Sequence, residues 1–141
     1  MCHRVPFPPK RGGKIRPFNI IRHLTEQGHR VTVSSLARSE DERAEAAGLG
    51  KHCERALVEV IPSGLAWART VAWLPTTNPS SFGYFYSRAL ASQIDRELSS
   101  GTYDLVFAHA SSVAPYVKNS RTASILDYGD VDSQKWRAPA P

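Results

Sequence analysis

Apolar residues recur along the chain at helical spacing in two long segments. Over residues 14–27 every third residue is apolar, which leaves one apolar stripe along a helix, and Gly28 supplies its stop. A second segment has apolar residues four apart and predicts one helix that ends at Gly101. Its apolar residues are Phe82, Tyr86, Leu90, Ile94 and Leu98.

Short apolar runs separate these helices and predict strands. The predicted strands cover residues 29–36, 56–61, 103–108 and 123–126. The continuous run 103–108 is typical of a strand buried on both faces. Ser39 and Glu42 form a capping-box pattern that predicts a short helix ending near Gly48. Residues 111–117 predict another short helix, whereas 65–74 fit either a helix or irregular structure.

The alternation of helices and short strands predicts an α/β fold, a Rossmann-like parallel sheet with flanking helices. In such sheets ligands bind beyond the C-terminal ends of the strands. The segment "PFPPKRGGKIR" resembles a loop that leads from a strand into the first helix, yet no apolar strand precedes Cys2. We therefore expect a sheet that lacks its first strand, and a partial chain.

Composition indicates one globular domain and makes the charge pattern informative. The 141 residues are 41% apolar and 22% charged, with a net charge of +5. Residues 1–38 hold eight basic residues against one acid, Glu26. Such a region attracts phosphates, although a solvated basic face without a ligand is the simpler interpretation.

Membrane spans, secretion and metal binding find no support in the sequence. No apolar run approaches the roughly 18 residues that span a bilayer, and the N-terminus lacks the apolar core of a signal peptide. The only cysteines, Cys2 and Cys53, match no zinc or redox spacing. We expect free thiols, no metal, no cofactor, and a cytoplasmic location that can include contact with the inner face of a membrane.

Two motifs resemble a known family. "CHRVPFPPKRGGKIRPFNIIRHL" near the N-terminus and "LDYGDVDSQKW" near the C-terminus are similar to the N-terminal domain of GT-B glycosyltransferases of the family 4 type. They look most like the sugar transferases of exosortase (PEP-CTERM) exopolysaccharide loci. The resemblance implies that residues 1–141 are the N-terminal, acceptor-side half of a GT-B fold without the donor-binding C-terminal domain. It also implies a nucleotide-sugar donor and a polysaccharide or lipid-linked acceptor.

The first candidate site is the start of the first predicted helix. Gly12 and Gly13 let the backbone approach a ligand, the helix offers free N–H groups, and Lys14 and Arg16 add positive charge. These features predict an anion cradle, although the glycines can equally serve the turn alone. The pattern is neither a Walker loop nor a dinucleotide fingerprint. The resemblance places this loop at the cleft, near the donor diphosphate or the acceptor.

The second candidate is His109, which follows the predicted strand 103–108 and should lie at the C-terminal edge of the sheet. The resemblance implies a catalytic role, with a hydrogen bond to the donor sugar. A lone histidine is more often structural.

The third candidate is a group of aspartates after the last predicted strand, Asp127, Asp130 and Asp132. Gly129 at the third position breaks the EF-hand pattern, and an Asx-rich turn that caps a helix is the simpler interpretation. The resemblance implies contacts from Asp130 and Asp132 to acceptor hydroxyls. It implies no metal, because GT-B enzymes neutralise the leaving diphosphate with basic side chains and helix dipoles.

The predicted function is therefore that of the N-terminal part of a glycosyltransferase, inactive alone or an inert remnant. The alternative is a small basic nucleic-acid-binding α/β domain, which needs exposed aromatic residues among the basic ones. Residues 1–38 offer only Phe7 and Phe18, so we expect no nucleic-acid partner. The aromatic residues of the middle region predict core packing, or else an amphipathic patch that meets a membrane carrying a lipid-linked acceptor.

Overall fold

Helices and strands alternate in the computed structural model, which describes residues 1–76 and 79–129. The α-helices are α1 (Gly12–Glu26), α2 (Glu40–Glu45), α3 (Ser63–Trp73), α4 (Ser80–Phe85) and α5 (Arg88–Ser99). The strands are β1 (Thr32–Ala37), β2 (Arg55–Val60), β3 (Leu105–His109) and β4 (Ala123–Asp127), and two short 3-10 helices cover Ala46–Lys51 and Ser111–Tyr116. The predicted α/β class with parallel strands and flanking helices is confirmed.

The strands form two parallel ladders, β1 with β2 and β3 with β4. Between β1 and β3 lie residues 1–5, here called the N-terminal segment, in which Cys2 forms a parallel bridge to Ser35 on one side and to His109 on the other. The Cys2 N–H donates to the Ser34 carbonyl at 2.8 Å, and the His109 N–H donates to the Met1 carbonyl at 2.9 Å. Isolated bridges at Cys2 therefore link the two ladders, although the described residues include no strand before α1.

The prediction of one continuous helix over residues 82–98 is wrong. Tyr86 has extended backbone, and α5 starts anew after Ser87, whose hydroxyl accepts a hydrogen bond from the Leu90 N–H at 3.3 Å. The Tyr116 hydroxyl accepts from the Ser87 N–H at 2.6 Å and donates to the Phe85 carbonyl at 2.7 Å. These bonds satisfy the backbone groups that the break exposes, which makes the break stable.

Other predicted elements are confirmed with shifted boundaries. Helix α1 begins at Gly12, earlier than expected, and the undecided region 65–74 belongs to α3. Ser39 caps α2 by accepting from the Glu42 N–H at 3.2 Å. The Glu42 carboxylate does not complete the capping box, because it accepts from the Arg38 N–H and from Lys14.

Two apolar clusters form the core. One includes Val5 with residues of α1, β1 and the first 3-10 helix, and the other centres on Leu90 and Ala108. Met1 packs against the second cluster, so the N-terminal segment contacts both. Among the described helices, none has the length and apolar character that crossing a bilayer requires.

Candidate functional site

The centre of the site is a hydrogen-bonded histidine–aspartate pair at the C-terminal ends of β3 and β4. His109 Nδ1 lies 3.0 Å from Asp127 Oδ2, and the two residues are register partners in the parallel ladder. His109 is only 6% exposed. Because a carboxylate can only accept, Nδ1 carries the proton and Nε2 is left as the second functional atom of the ring.

Further groups hold the Asp127 carboxylate in place. Its Oδ1 lies 3.1 Å from the Arg16 guanidinium and accepts a hydrogen bond from the Gly129 N–H at 3.1 Å. Burial disfavours the charged form, but the bonds from His109 and Gly129 and the charge of Arg16 outweigh it, so the pKa of Asp127 lies below its usual value. The Asp127 carboxylate therefore stays charged, and it holds the His109 ring in position through the hydrogen bond to Nδ1.

Gly129 leaves room along the free edge of the His109 ring. A Cβ atom at Gly129 would lie 3.3 Å from His109 Cε1 and 3.9 Å from Nε2. Gly129 also has φ near +70°, a region that other residues enter with strain. Its lack of a side chain thus keeps the backbone close to Nε2 without covering that edge with a methyl group.

The predicted anion cradle lies in the first turn of α1. A Cβ atom at Gly12 or Gly13 would meet nothing within 4 Å, so neither glycine is required by packing. Arg11, the N-cap residue, makes no side-chain cap, which leaves the first N–H groups of the helix without a capping side chain. The Lys14 ammonium is already engaged, 3.1 Å from Glu42 and 3.4 Å from the Phe7 carbonyl.

Only some of the site residues predicted from the sequence lie close together in the structure. Asp127 joins Arg16 to His109, so the start of α1 and the end of β3 share one sheet edge. Asp130 and Asp132 lie outside the described residues. The pairing of Asp127 with His109 was not predicted, because it depends on the register of two strands that are far apart in sequence.

Sequence reasoning also missed the N-terminal segment. The His3 ring centre lies 6.1 Å from that of His109, and Arg4 lines the same small cavity as His3. Burial, with added repulsion from Arg4 and His109, lowers the pKa of His3 to about 4. The sequence signal was the clustering of basic residues near the start of the chain, but which of them converge follows from tertiary structure.

A second, wider concave surface does not coincide with this centre. It runs along the outer face of α1 and includes Gly12 and Arg16, together with Ile15, Asn19, Ile20, His23 and Leu24. His109 is not part of it. We give more weight to the sheet edge, because charged groups converge there.

Metal and thiol chemistry gain no support. In residues 1–76 and 79–129 no group of three or more His, Cys, Asp or Glu side chains can hold a metal ion. Cys2 and Cys53 are free and buried, and burial raises the pKa of both thiols. Neither cysteine is therefore set up as a nucleophile.

The arrangement at the sheet edge can bind and orient a polar substrate. A histidine fixed by a carboxylate can donate or accept a proton at Nε2, and the open first turn of α1 offers backbone N–H groups to an anion. The chain matches no family model, no curated protein and no solved structure.

Proposed function

We propose that this chain is the acceptor-side part of a glycosyltransferase that moves a sugar from a nucleotide-sugar to a cell-surface polysaccharide or a lipid-linked acceptor. The observation that carries the proposal is the convergence of α1 and His109 on Asp127 at the C-terminal edge of parallel strands. The motif resemblance independently directs attention to the same two positions. In this proposal His109 Nε2 contacts the reacting sugar, and Asp127 is a positioning residue.

The strand arrangement supports a Rossmann-like, GT-B-type half. With Cys2 as the central link, the order across the strands is β2, β1, the N-terminal segment, β3, β4. Each ladder is parallel and helices connect successive strands, as in doubly wound folds. In doubly wound folds the substrate binds at the point where the connections from the central strands run to opposite sides of the sheet. His109 ends β3, beside the central N-terminal segment, and so lies at the corresponding point.

An exposed apolar stripe on α3 supports contact with a membrane that carries the acceptor. Trp67, Val71 and Leu74 are each at least 60% exposed and lie three or four residues apart. Their spacing places them on one helical face. Such a face can lie in the interfacial region of a bilayer, which suits a lipid-linked acceptor.

The nucleic-acid alternative is less well supported. Four of the eight basic residues in 1–38 form ion pairs within the chain: Lys14 with Glu42, Arg16 with Asp127, Arg22 with Glu26, and Arg30 with Glu54. Phe18 is buried in the core and Phe7 packs against it. The region therefore lacks the combination of free charge and exposed rings that binds single strands.

Ligand mapping by NMR tests the proposal. The labelled 141-residue chain is titrated with a panel of nucleotide-sugars, oligosaccharides and polyprenyl-linked sugars, and with a single-stranded oligonucleotide. We expect shifts at the amides of Gly12, Gly13 and His109 with a sugar ligand, and none at Gly101, which precedes β3 at the opposite edge. His109→Gln should weaken that binding while leaving the unfolding transition in place. Binding of the oligonucleotide alone, or sugar-induced shifts confined to other surfaces, would overturn the proposal.

Turnover is a separate prediction. In the family that the motifs resemble, a second domain supplies most of the nucleotide-sugar site, so this chain by itself should transfer no sugar from any common nucleotide donor. The measurement is product formation by the purified 141 residues with each donor and acceptor of the panel. Turnover above background would show that these residues contain a complete catalytic centre.

A further inference from the structure

Three basic side chains outside the His109–Asp127 pair line one small cavity. His3, Arg4 and Arg38 lie around it between the N-terminal segment, the end of β1, and helices α3 and α4. The remaining wall consists of backbone or apolar and aromatic side chains of Leu36, Ala37, Ile61, Ala66, Tyr84 and Phe85. The cavity holds about 20 Å³, enough for one water-sized group.

Polar atoms at this cavity lack partners. His3 Nδ1 and Arg4 Nε are both shielded from solvent and make no hydrogen bond with any described residue. A buried polar atom without a partner is unfavourable, because it has lost its hydrogen bonds to water. An anion in the cavity is one partner that would satisfy both atoms.

Positive charge around the cavity is not balanced. Arg4, Arg11 and Arg38 form no ion pair within the described ranges, and the repulsion from Arg38 and Arg11 acts on Arg4. The nearby carboxylate, Glu42, accepts hydrogen bonds from Lys14 and from the Arg38 backbone N–H. The Glu42 carboxylate attracts Arg4 but is itself engaged by Lys14, so the cluster keeps an excess of positive charge that suits a doubly charged anion.

We propose that His3, Arg4 and Arg38 bind a phosphate group. One phosphate oxygen enters the cavity and accepts from His3 and Arg4, while Arg38, which is exposed, closes over the oxygens at the mouth. Guanidinium groups suit this role because their donors match phosphate oxygens in pairs. The proposal does not depend on sugar transfer, because its three residues include neither His109 nor Asp127 and the site requires only an anion.

Titration of the chain with inorganic phosphate, at constant ionic strength kept with sodium chloride, tests the site. We expect saturable NMR shifts at the side-chain nitrogens of Arg4, Arg38 and His3. Bound phosphate should also raise the pKa of His3, which burial and its neighbours Arg4, Arg38 and His109 now keep low. An increase of at least one pH unit is the expected readout, and a structural role for these residues would not produce it.

Matched variants separate binding from folding. Arg38→Gln changes an exposed side chain in a loop and should weaken phosphate binding at least tenfold with no change in the melting temperature. Arg4→Gln should do the same to binding, with its fold checked by thermal unfolding. Arg121→Gln, which removes an exposed charge just before β4 at the opposite edge of the sheet, should leave binding unchanged. Equal losses from Arg121→Gln and Arg38→Gln, or shifts that rise linearly with phosphate, would overturn the proposal.

Two further binding measurements identify the source of the phosphate. Tighter binding of glucose 1-phosphate than of inorganic phosphate supports a soluble sugar phosphate. Displacement of phosphate by vesicles of phosphatidylglycerol, but not by vesicles of phosphatidylcholine, supports a lipid headgroup. Failure of sugar binding at His109 with retained phosphate binding here would refute the proposed function while leaving this site standing.

Discussion

Ala110 follows His109 directly and has an unusual backbone conformation. Its φ of 82° and ψ of 142° lie in a region that glycine alone enters easily. The Ala110 N–H donates to the Asp127 carbonyl at 2.8 Å, which holds the strained residue beside the His109–Asp127 pair. The strain therefore lies directly after the end of β3.

Ala110→Gly should stabilise the chain. Relief of about 1–3 kcal/mol of strain exceeds the roughly 0.5–1 kcal/mol that glycine loses in backbone entropy, so we expect a net gain of about 1 kcal/mol. Ala108→Gly is the matched control, because Ala108 is fully buried in β3, two residues before Ala110, and its change should destabilise by about 1–2 kcal/mol. Denaturant unfolding measures both. A loss from Ala110→Gly similar to that from Ala108→Gly would show that Ala110 is not strained.

The lowered pKa of His3 should make the free energy of unfolding fall in mild acid. Its pKa is about 4 in the folded chain, against 6.5 as its ordinary value. Between these values only the unfolded chain takes up the proton, so stability is full above pH 6.5 and is lost as the pH falls toward 4. The loss is at most about 1.4 kcal/mol for each pH unit.

Unfolding free energies at pH 7.0, 6.0 and 5.0 measure this loss. His3→Gln should flatten the slope between pH 6.5 and 5, since it removes the buried imidazole that faces Arg4, Arg38 and His109. His29→Gln, which changes an exposed histidine, should keep the slope. An unchanged slope in His3→Gln would mean that another group controls the acid response.

At the scale of elements, helices α3 and α4 pack with their backbones close together. A Cβ atom at Gly83 would lie 2.9 Å from the Arg69 carbonyl oxygen and 3.0 Å from Trp73 Cγ. Gly64, at the start of α3, has nothing within 4 Å of its Cβ position. The two glycines therefore have opposite roles, one required by packing and the other not.

Alanine at these two positions should change stability in opposite directions. Gly83→Ala forces the helices apart and should destabilise by about 1–3 kcal/mol, whereas Gly64→Ala should stabilise by up to about 1 kcal/mol through helix propensity. Thermal and denaturant unfolding of both variants give the comparison. Gains from both variants would mean that α4 is not packed against Arg69.

Helices α4 and α5 show what a local pattern can predict. The four-residue spacing of Leu90, Ile94 and Leu98 correctly predicted the helical face of α5, because that face packs on the core. The break at Ser87 could not be predicted this way, since it depends on the Tyr116 hydroxyl, which is distant in sequence. The presence of a helix could be predicted from the spacing of apolar residues, whereas the residue at which it begins depends on tertiary hydrogen bonds.

For the whole molecule, the α/β class was predictable because helices and β-branched runs alternate. The position of His109 at a strand end followed from the same alternation. The link that joins the two ladders was not predictable, because Met1 and Cys2 carry no strand pattern and act through backbone hydrogen bonds. The convergence of His3, Arg4 and Arg38 depends on that link, which is why the sequence showed the basic charge but not the cluster.

Extending the N-terminal segment with five apolar β-branched residues before Met1 should raise the melting temperature. The Met1 amino group already donates to the Phe107 carbonyl, so added residues would continue between β1 and β3, beside Leu105, which is 50% exposed. Covering Leu105 and its strand neighbours removes apolar surface from water at about 25 cal/mol per Å², and a gain of about 1 kcal/mol corresponds to roughly 3–6 °C in a chain of this size. Differential scanning calorimetry measures the change, with a five-residue Gly/Ser extension as the control of equal length. An apolar extension that melts no higher than the Gly/Ser extension would show that the space between the two ladders does not accept a longer strand.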